Sequence, residues 1–267
     1  MLYTRDLKSL ERELMRVGVP PSAPSPSTEV YHFVFLIFIP VYFIIFCILL
    51  YHLDFYIMKR QNKVKIQWSS NFAYAIGLLT TDGNLSKDGR HLNLTSKDKD
   101  LINIFKGCLG IKNKIGRKAR ERSKTKKYFQ VQFGDKNFYE FLLSLGLKPT
   151  KSKTLKSLNI LDDYFVDFLR GCIDGDGNIK VSEHPQSQYP QLQVRLFSAS
   201  PLFLNWLKDG LSKQIKVQGG WIEKYNTNYV LAYGKSDSIK LLNFIYYKGV
   251  NNYLDRKYKI AKQFLRT

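Results

Sequence analysis

The chain has 267 residues, 44% hydrophobic and 14% aromatic, enough apolar material for one large domain or two small ones, which excludes wholesale disorder. Lys and Arg number 42 against 22 Asp and Glu, a net charge of +20, and a compact body that basic repels itself unless it meets a polyanion: nucleic acid first, an anionic membrane surface second. The three cysteines, Cys47, Cys108 and Cys172, follow no zinc-ligand spacing, and their odd number argues against a disulfide framework, leaving buried free thiols as the plain reading.

In chain order, residues 1–19 read as a short amphipathic helix that Pro20 and Pro21 end, and Pro20–Ser27 reads as a linker. Tyr31–Tyr51 follows without one Asp, Glu, Lys or Arg and is long enough to cross a hydrocarbon core. Lys59, Arg60, Lys63 and Lys65 beyond its end would put the basic part on the cytoplasmic side of a membrane. A competing reading has equal standing. Residues 1–57 carry four bases against five acids, a net of −1, which leaves +21 for residues 58–267, and Met58 stands at the break. On that reading 1–57 is a translated upstream segment or a fused host reading frame.

From Trp68 onward one pattern occurs twice. Phe72–Leu79 is apolar and helix-like and ends at Asp82-Gly83, while Asp167–Ile173 has the same character and ends at Asp176-Gly177-Asn178. Period-two strands follow each: Leu92 and Leu94 in the first copy, Leu192, Val194 and Leu196 in the second. Helices are expected at Asp98–Leu109 and Pro201–Leu211. Further strands are expected around Phe129, Val131 and Phe133 and around Tyr229, Leu231 and Tyr233, and closing helices at Lys136–Leu145 and Ser236–Tyr246. The fold class is therefore α+β, with tandem αββαββα repeats related by a pseudo-two-fold axis. The domain boundaries are 1–57 for the extension, 58–160 for the first repeat and 161–267 for the second.

The two helix ends hold the chemistry. Gly171 and Gly175 share one helix face, where small residues let another backbone come close, and Gly77 and Thr81 occupy the matching places. Pairing these faces brings the C-terminal ends together, with Gly83 and Gly177 expected to stop each helix in a left-handed conformation. Asp82 and Asp176 would then project to one spot, where two carboxylates at negative helix ends repel each other and the dipoles. A divalent cation removes that conflict, and Mg²⁺ accepts such a set of few carboxylates, water and phosphate oxygens. A lone Asp-Gly usually only caps a helix. Two at matched places, each followed by alternating strands, is a far more specific signal.

Ala75–Gly83 and Leu169–Gly177 resemble the two signature motifs of the LAGLIDADG homing endonucleases, and the resemblance covers roughly residues 68–267. The first motif departs at Thr80, where the family has its earlier Asp. The resemblance implies LAGLIDADG helices at the repeat interface and antiparallel sheets forming a saddle on DNA. The implied activity is Mg²⁺-dependent cleavage of a long duplex site by a monomer with no obligate protein partner. It implies Asp82 and Asp176 as metal-binding and catalytic residues, Lys153 and Lys257 as a lysine near each active site, and Ser96 and Ser198 in the water network. For Lys151 and Lys259, surface phosphate contact is the preferred reading. The chain's own intron RNA is a further partner to consider. The rival functions on this fold are an RNA splicing maturase and a non-cleaving DNA-binding protein, and a lipid-binding protein anchored by residues 31–51 is a rival from another class. An intein is discounted because Phe264-Leu265-Arg266-Thr267 contains no terminal His-Asn. The expected location is a prokaryotic cytoplasm or an organellar matrix, with anchoring only if residues 31–51 belong to the product.

The DNA surface is expected on the polar faces of the strands. Candidate base readers are Arg90, His91 and Asn93 with Tyr128, Gln130 and Gln132 in the first copy. In the second they are Gln191, Gln193 and Arg195 with Lys224, Asn226 and Asn228, since Arg pairs with guanine and Gln or Asn with adenine. The basic run Arg117–Lys127, which includes Lys118 and Arg120, is expected as a strand-to-strand loop that touches phosphates.

Overall fold

The computed structural model describes residues 62–119, 127–183 and 188–265, all within the unit Arg60–Thr267. The two readings of residues 1–57 and the basic residues 120–126 lie outside that set. Among the described residues no helix is long and apolar enough to cross a membrane.

The order is α1 (Ser70–Thr81), β1 (Gly83–Leu85), β2 (His91–Ser96), α2 (Lys99–Leu109), β3 (Ile115–Lys118), β4 (Tyr128–Gly134) and α3 (Lys136–Ser144). Then come α4 (Phe165–Asp176), β5 (Gly177–Ser182), β6 (Gln191–Ser198), α5 (Pro201–Ile215), β7 (Trp221–Tyr225), β8 (Asn228–Tyr233), α6 (Lys235–Ile245) and the short α7 (Asp255–Ala261). This is the expected αββαββα unit twice, with each sheet antiparallel in the order β1-β2-β4-β3 or β5-β6-β8-β7.

Alternation decides what each sheet face does. Leu92, Leu94, Val131 and Phe133 turn inward onto α2 and α3, where Phe133 lies 6.4 Å from Phe105 and 6.3 Å from Phe138. Leu192, Val194, Leu196, Leu231 and Tyr233 do the same in the second repeat. Helix starts are set by side-chain caps: Asp135 accepts from Phe138 N at 3.0 Å and also from Lys63 N and Val64 N, which ties the incoming segment to α3. Ser238 of α6 donates to Tyr233 O and accepts from Val194 N, fastening that helix to its sheet. Cys172 is buried and Cys108 partly so, both free thiols.

α1 and α4 form the seam between the repeats, and glycine makes it possible. A Cβ built on Gly171 would fall 2.2 Å from Tyr74 O and 3.1 Å from Gly77 Cα, and one on Gly77 would meet Gly171 Cα at 3.0 Å. One turn on, Gly175 faces Thr81. The two helices advance together along this line, so they are parallel and finish side by side.

Candidate metal centre and nucleic-acid interface

Asp82 closes α1 and Asp176 is the last residue of α4, so the parallel seam delivers both acids to one end. They line a cleft of about 820 Å³ whose walls come from both repeats: Asn84, Asn93, Thr95 and Tyr128 on one side, Phe197, Ser198 and Asn228 on the other. Burial, then the charge of Asp176, raise the Asp82 carboxyl to about 7. The Lys257 and Lys151 ammonium groups oppose that rise. A divalent cation at this spot would answer a repulsion the structure carries, so the donor chemistry fits. Among the described residues no three His, Cys, Asp or Glu come together. The remaining ligands would have to be main-chain oxygen, water or phosphate, a mixture Mg²⁺ accepts.

The helices do not end as expected. Gly177 has φ −88 and ψ 165, and neither it nor Gly83 adopts a left-handed conformation. Each is glycine because a Cβ would strike the preceding turn, at 2.5 Å from Leu79 O or from Ile173 O. The chain passes straight from helix to strand, and a buried lysine satisfies the carbonyls left over. Lys257 Nζ donates to Ile173 O (2.6 Å), Asp174 O (2.9 Å) and Gly177 O (2.7 Å). An ammonium has three N–H donors, so all of them are engaged there.

In the first repeat the matching lysine is Lys151, whose Nζ donates to Gly83 O from a buried position, whereas Lys153 is exposed two residues further on. This corrects the sequence reading in both directions, since Lys151 was expected at the surface and Lys153 at the site. The turn Lys151–Lys153 is a single 3-10 turn preceded by Thr150 at φ 57, and that reversal decides which lysine points inward. Desolvation lowers Lys151 and Lys257 alike, each to about 8. Lys259 is exposed and pairs with Asp255.

The earlier acid of the second motif, Asp174, is fully buried and accepts from Tyr74 OH and Leu254 N, both at 2.8 Å, which anchors the approach to α7. Thr80, its counterpart, turns back to donate to Ile76 O and needs no partner elsewhere. Ser96 and Ser198 stand at equivalent strand ends in the cleft, accepting from Asp98 N and Ser200 N respectively.

Residues 69–146 match the model of the LAGLIDADG-like domain. That match covers the first repeat and supports its reading as a LAGLIDADG-like domain. The uncharacterized protein MJ0314 of Methanocaldococcus jannaschii is 24% identical over 143 residues, 52% of each chain, so this chain spans about half the length of that relative. Among solved structures it is similar to the N-terminal LAGLIDADG domain of DUF199/WhiA, at 14% identity, 75% of this chain, 93% of that one and a TM-score of 0.47. It is also similar to the homing endonuclease I-DmoI in complex with DNA and Ca, at 15% identity, 72% and 97% coverage and a TM-score of 0.48.

The strand register places the other candidates relative to the seam helices α1 and α4. Asn93 opposes Gln132 and Thr95 opposes Gln130 on the outer face of the first sheet, with Tyr128 and Lys118 paired beyond them towards the cleft. His91 begins that row and its Nδ1 is bound to Asp88, while Arg90 is exposed in the β1–β2 turn. In the second sheet Gln191, Gln193 and Arg195 form the outer row of β6, opposite Ser182, Lys180 and Asn178. Arg195 donates from Nε and Nη2 to Gln193 Oε1, at 3.1 and 2.6 Å. Asn228 lines the cleft, and Asn226 sits in the β7–β8 turn at φ 54.

Arg117, expected in a phosphate-touching loop, and Lys224, expected as a base reader, face the other way. Arg117 opposes Phe129, an inward residue, and its guanidinium lies 4.9 Å from that ring. Lys224 opposes Tyr229, its equivalent. The basic run was expected as a loop, but its first residues are in β3, and an edge strand alternates like any other. Arg120 lies outside the described residues. Residues not anticipated on the outer faces are Asn84, Asn178 and Lys180. Their signal was present: the strand starts at the glycine directly after each acid, so the next residue must face out. Lys97 and Arg256 also line the cleft, Arg256 held to Asp98 across the repeats at 2.9 Å.

Proposed function

We propose that this chain is a divalent-metal-dependent endonuclease, acting as a single chain, that hydrolyses both strands of a long specific site in duplex DNA. One observation carries the reading: Asp82 and Asp176, from different repeats, line one cleft at the joined ends of parallel helices, between sheets with polar outward rows. A bound divalent cation supplies an activated water and stabilises the leaving oxygen. The protein's part is positional. Asp82 and Asp176 offer the anionic seat, and ionisation of Asp82 is completed only when a counter-charge arrives. Lys151 and Lys257 hold the helix ends and lend positive field from behind the acids. With its donors occupied, Lys257 acts through that field and by fixing Gly177, not by donating to the reacting phosphate. Ser96 and Ser198 stand within the cleft to orient water, and Lys97, Lys118 and Arg256 border it for phosphate contact.

Base reading falls to the outer rows. With its amide oxygen occupied by Arg195, Gln193 turns donors outward together with Arg195, which suits the acceptors of guanine better than adenine. A non-cleaving DNA-binding role is the second reading, favoured by the absence of a third side-chain ligand among the described residues. Selection from a randomised duplex library with the full-length chain and Mg²⁺ decides between them. Cleavage at one site of roughly 20 base pairs, about one helical turn per sheet, supports the nuclease. Asp82→Asn and Asp176→Asn should still bind that site and not cut it. Specific binding without cleavage by the parent chain sinks the enzyme reading.

A further inference from the structure

The two sheets share a topology and present different chemistry outward. Aligning the central strands by register, Thr95 and Gln130 of the first sheet correspond to Phe197 and Val230 of the second. Likewise Gln132 corresponds to Ala232, and Lys118 to Tyr225. Amides are thus replaced by apolar groups along β8. Val230 and Ala232 are only 2% and 1% exposed, although they lie on the face opposite the core residues Leu231 and Tyr233. Their cross-strand neighbours on that outer face are Phe197 and Glu223 for Val230, and Arg195 and Trp221 for Ala232. Tyr225 packs edge-on to Phe197 at 5.6 Å. The strip ends in open rings, Trp221 being 42% and Tyr225 50% exposed.

We propose that the accessible rings of this strip, Phe197, Trp221 and Tyr225, seated on the buried Val230 and Ala232, read thymine methyl groups in the major groove, so that the half-site under the second sheet is selected for T beneath β7. The inference rests on the DNA-binding reading above. The C5 methyl of thymine is the apolar feature of the major-groove edge of a base pair. The same face carries Lys180 and Arg195, which supply charge complementarity to a duplex. Glu223, exposed between Trp221 and Tyr225, opposes a phosphate chain running along β7 and favours base edges there, where a carboxylate accepts from cytosine N4. The first sheet, with Asn84, Asn93, Gln130 and Gln132, reads by hydrogen bonds instead.

The test uses the full-length chain, its selected duplex and Ca²⁺ to hold off cleavage, with affinity read by fluorescence anisotropy at one salt concentration. Thymines are replaced by deoxyuridine in one half-site, then in the other. Loss of each contacted methyl should weaken binding about fourfold, in one half-site only. The Trp221→Ala/Tyr225→Ser variant should bind the T and U forms of that half equally while keeping its melting temperature. Equal affinity for T and U in both halves overturns the inference and leaves the DNA reading standing, as does a variant that keeps full discrimination. Tighter binding of a single-stranded RNA, lost on Trp221→Ala, makes the strip a stacking platform and also overturns it. Failure to bind any specific duplex removes the DNA reading and this inference together.

Discussion

Gly171→Ala tests the seam on which the placement of both acids depends. The added Cβ would stand 2.2 Å from Tyr74 O and 3.1 Å from both Gly77 Cα and Leu78 N, and every one of these is main chain. No rotamer change relieves such contacts. Restoring an ordinary 3.4 Å approach to the carbonyl oxygen requires α1 and α4 to part by about 1 Å. Overpacking costs about 1–3 kcal/mol where neighbours can yield, so the upper end applies here. Alanine returns about 1 kcal/mol through helix propensity. The net loss is about 2 kcal/mol, which for a body of this size lowers the melting temperature by roughly 4–8 °C. Gly107→Ala is the control: it is helical, has nothing within 4 Å of its would-be Cβ, and should gain up to about 1 kcal/mol. Thermal melts by circular dichroism read both. A Gly171→Ala melt matching the parent, or an equal drop for Gly107→Ala, refutes the close-contact account.

The lysine caps make a second prediction: Lys257→Met should cost about 2–4 kcal/mol in denaturant melts, Lys151→Met less, and Lys153→Met within about 0.5 kcal/mol of nothing. If Lys153 proves the costly one, the first-repeat correction is wrong. A third concerns the buried Asp167–Arg170 pair, 2.6 Å apart and 2% and 1% exposed, with Arg170 also donating to Asn252 O and Ile245 O. Asp167→Asn should destabilise by about 3–5 kcal/mol because the guanidinium stays buried without its counter-charge; a change under about 1 kcal/mol in urea titration contradicts that. The fourth is a pH dependence. The folded value of Asp82, about 7, lies above its ordinary 3.8, so its contribution to stability is complete below the lower value and is lost as pH rises through the upper one. Mg²⁺ competes with that proton, so the rise in melting temperature on adding Mg²⁺ should grow between pH 6 and pH 8, and a constant rise across that window counts against a cation on Asp82. Finally, duplex affinity should fall steeply with salt, and an anisotropy Kd unchanged between low and moderate salt argues against the basic surface.

Much of this was legible because two periodicities are robust. The apolar runs before Asp82 and Asp176, and alternation such as Leu92/Leu94 and Leu192/Val194/Leu196, depend on burial and pleat alone, and the repeat follows from seeing them twice. Three features escaped for physical reasons. The side on which Arg117 and Lys224 fall is fixed by cross-strand register, which one strand's sequence does not contain. The choice of Lys151 over Lys153 turns on a left-handed Thr150, an uncommon conformation for that residue type. The reason for Gly83 and Gly177 lies in a collision with the turn behind them, which looks identical in sequence to a left-handed stop.

The seam carries one more implication. Where main chain touches main chain, few side-chain replacements fit, so the acids' seat behaves as a fixed chassis, while the outward rows of the sheets are bolted on and free to vary. Grafting the outer residues of one half onto the other should therefore change which sequence is recognised without disturbing the place where the two acids meet.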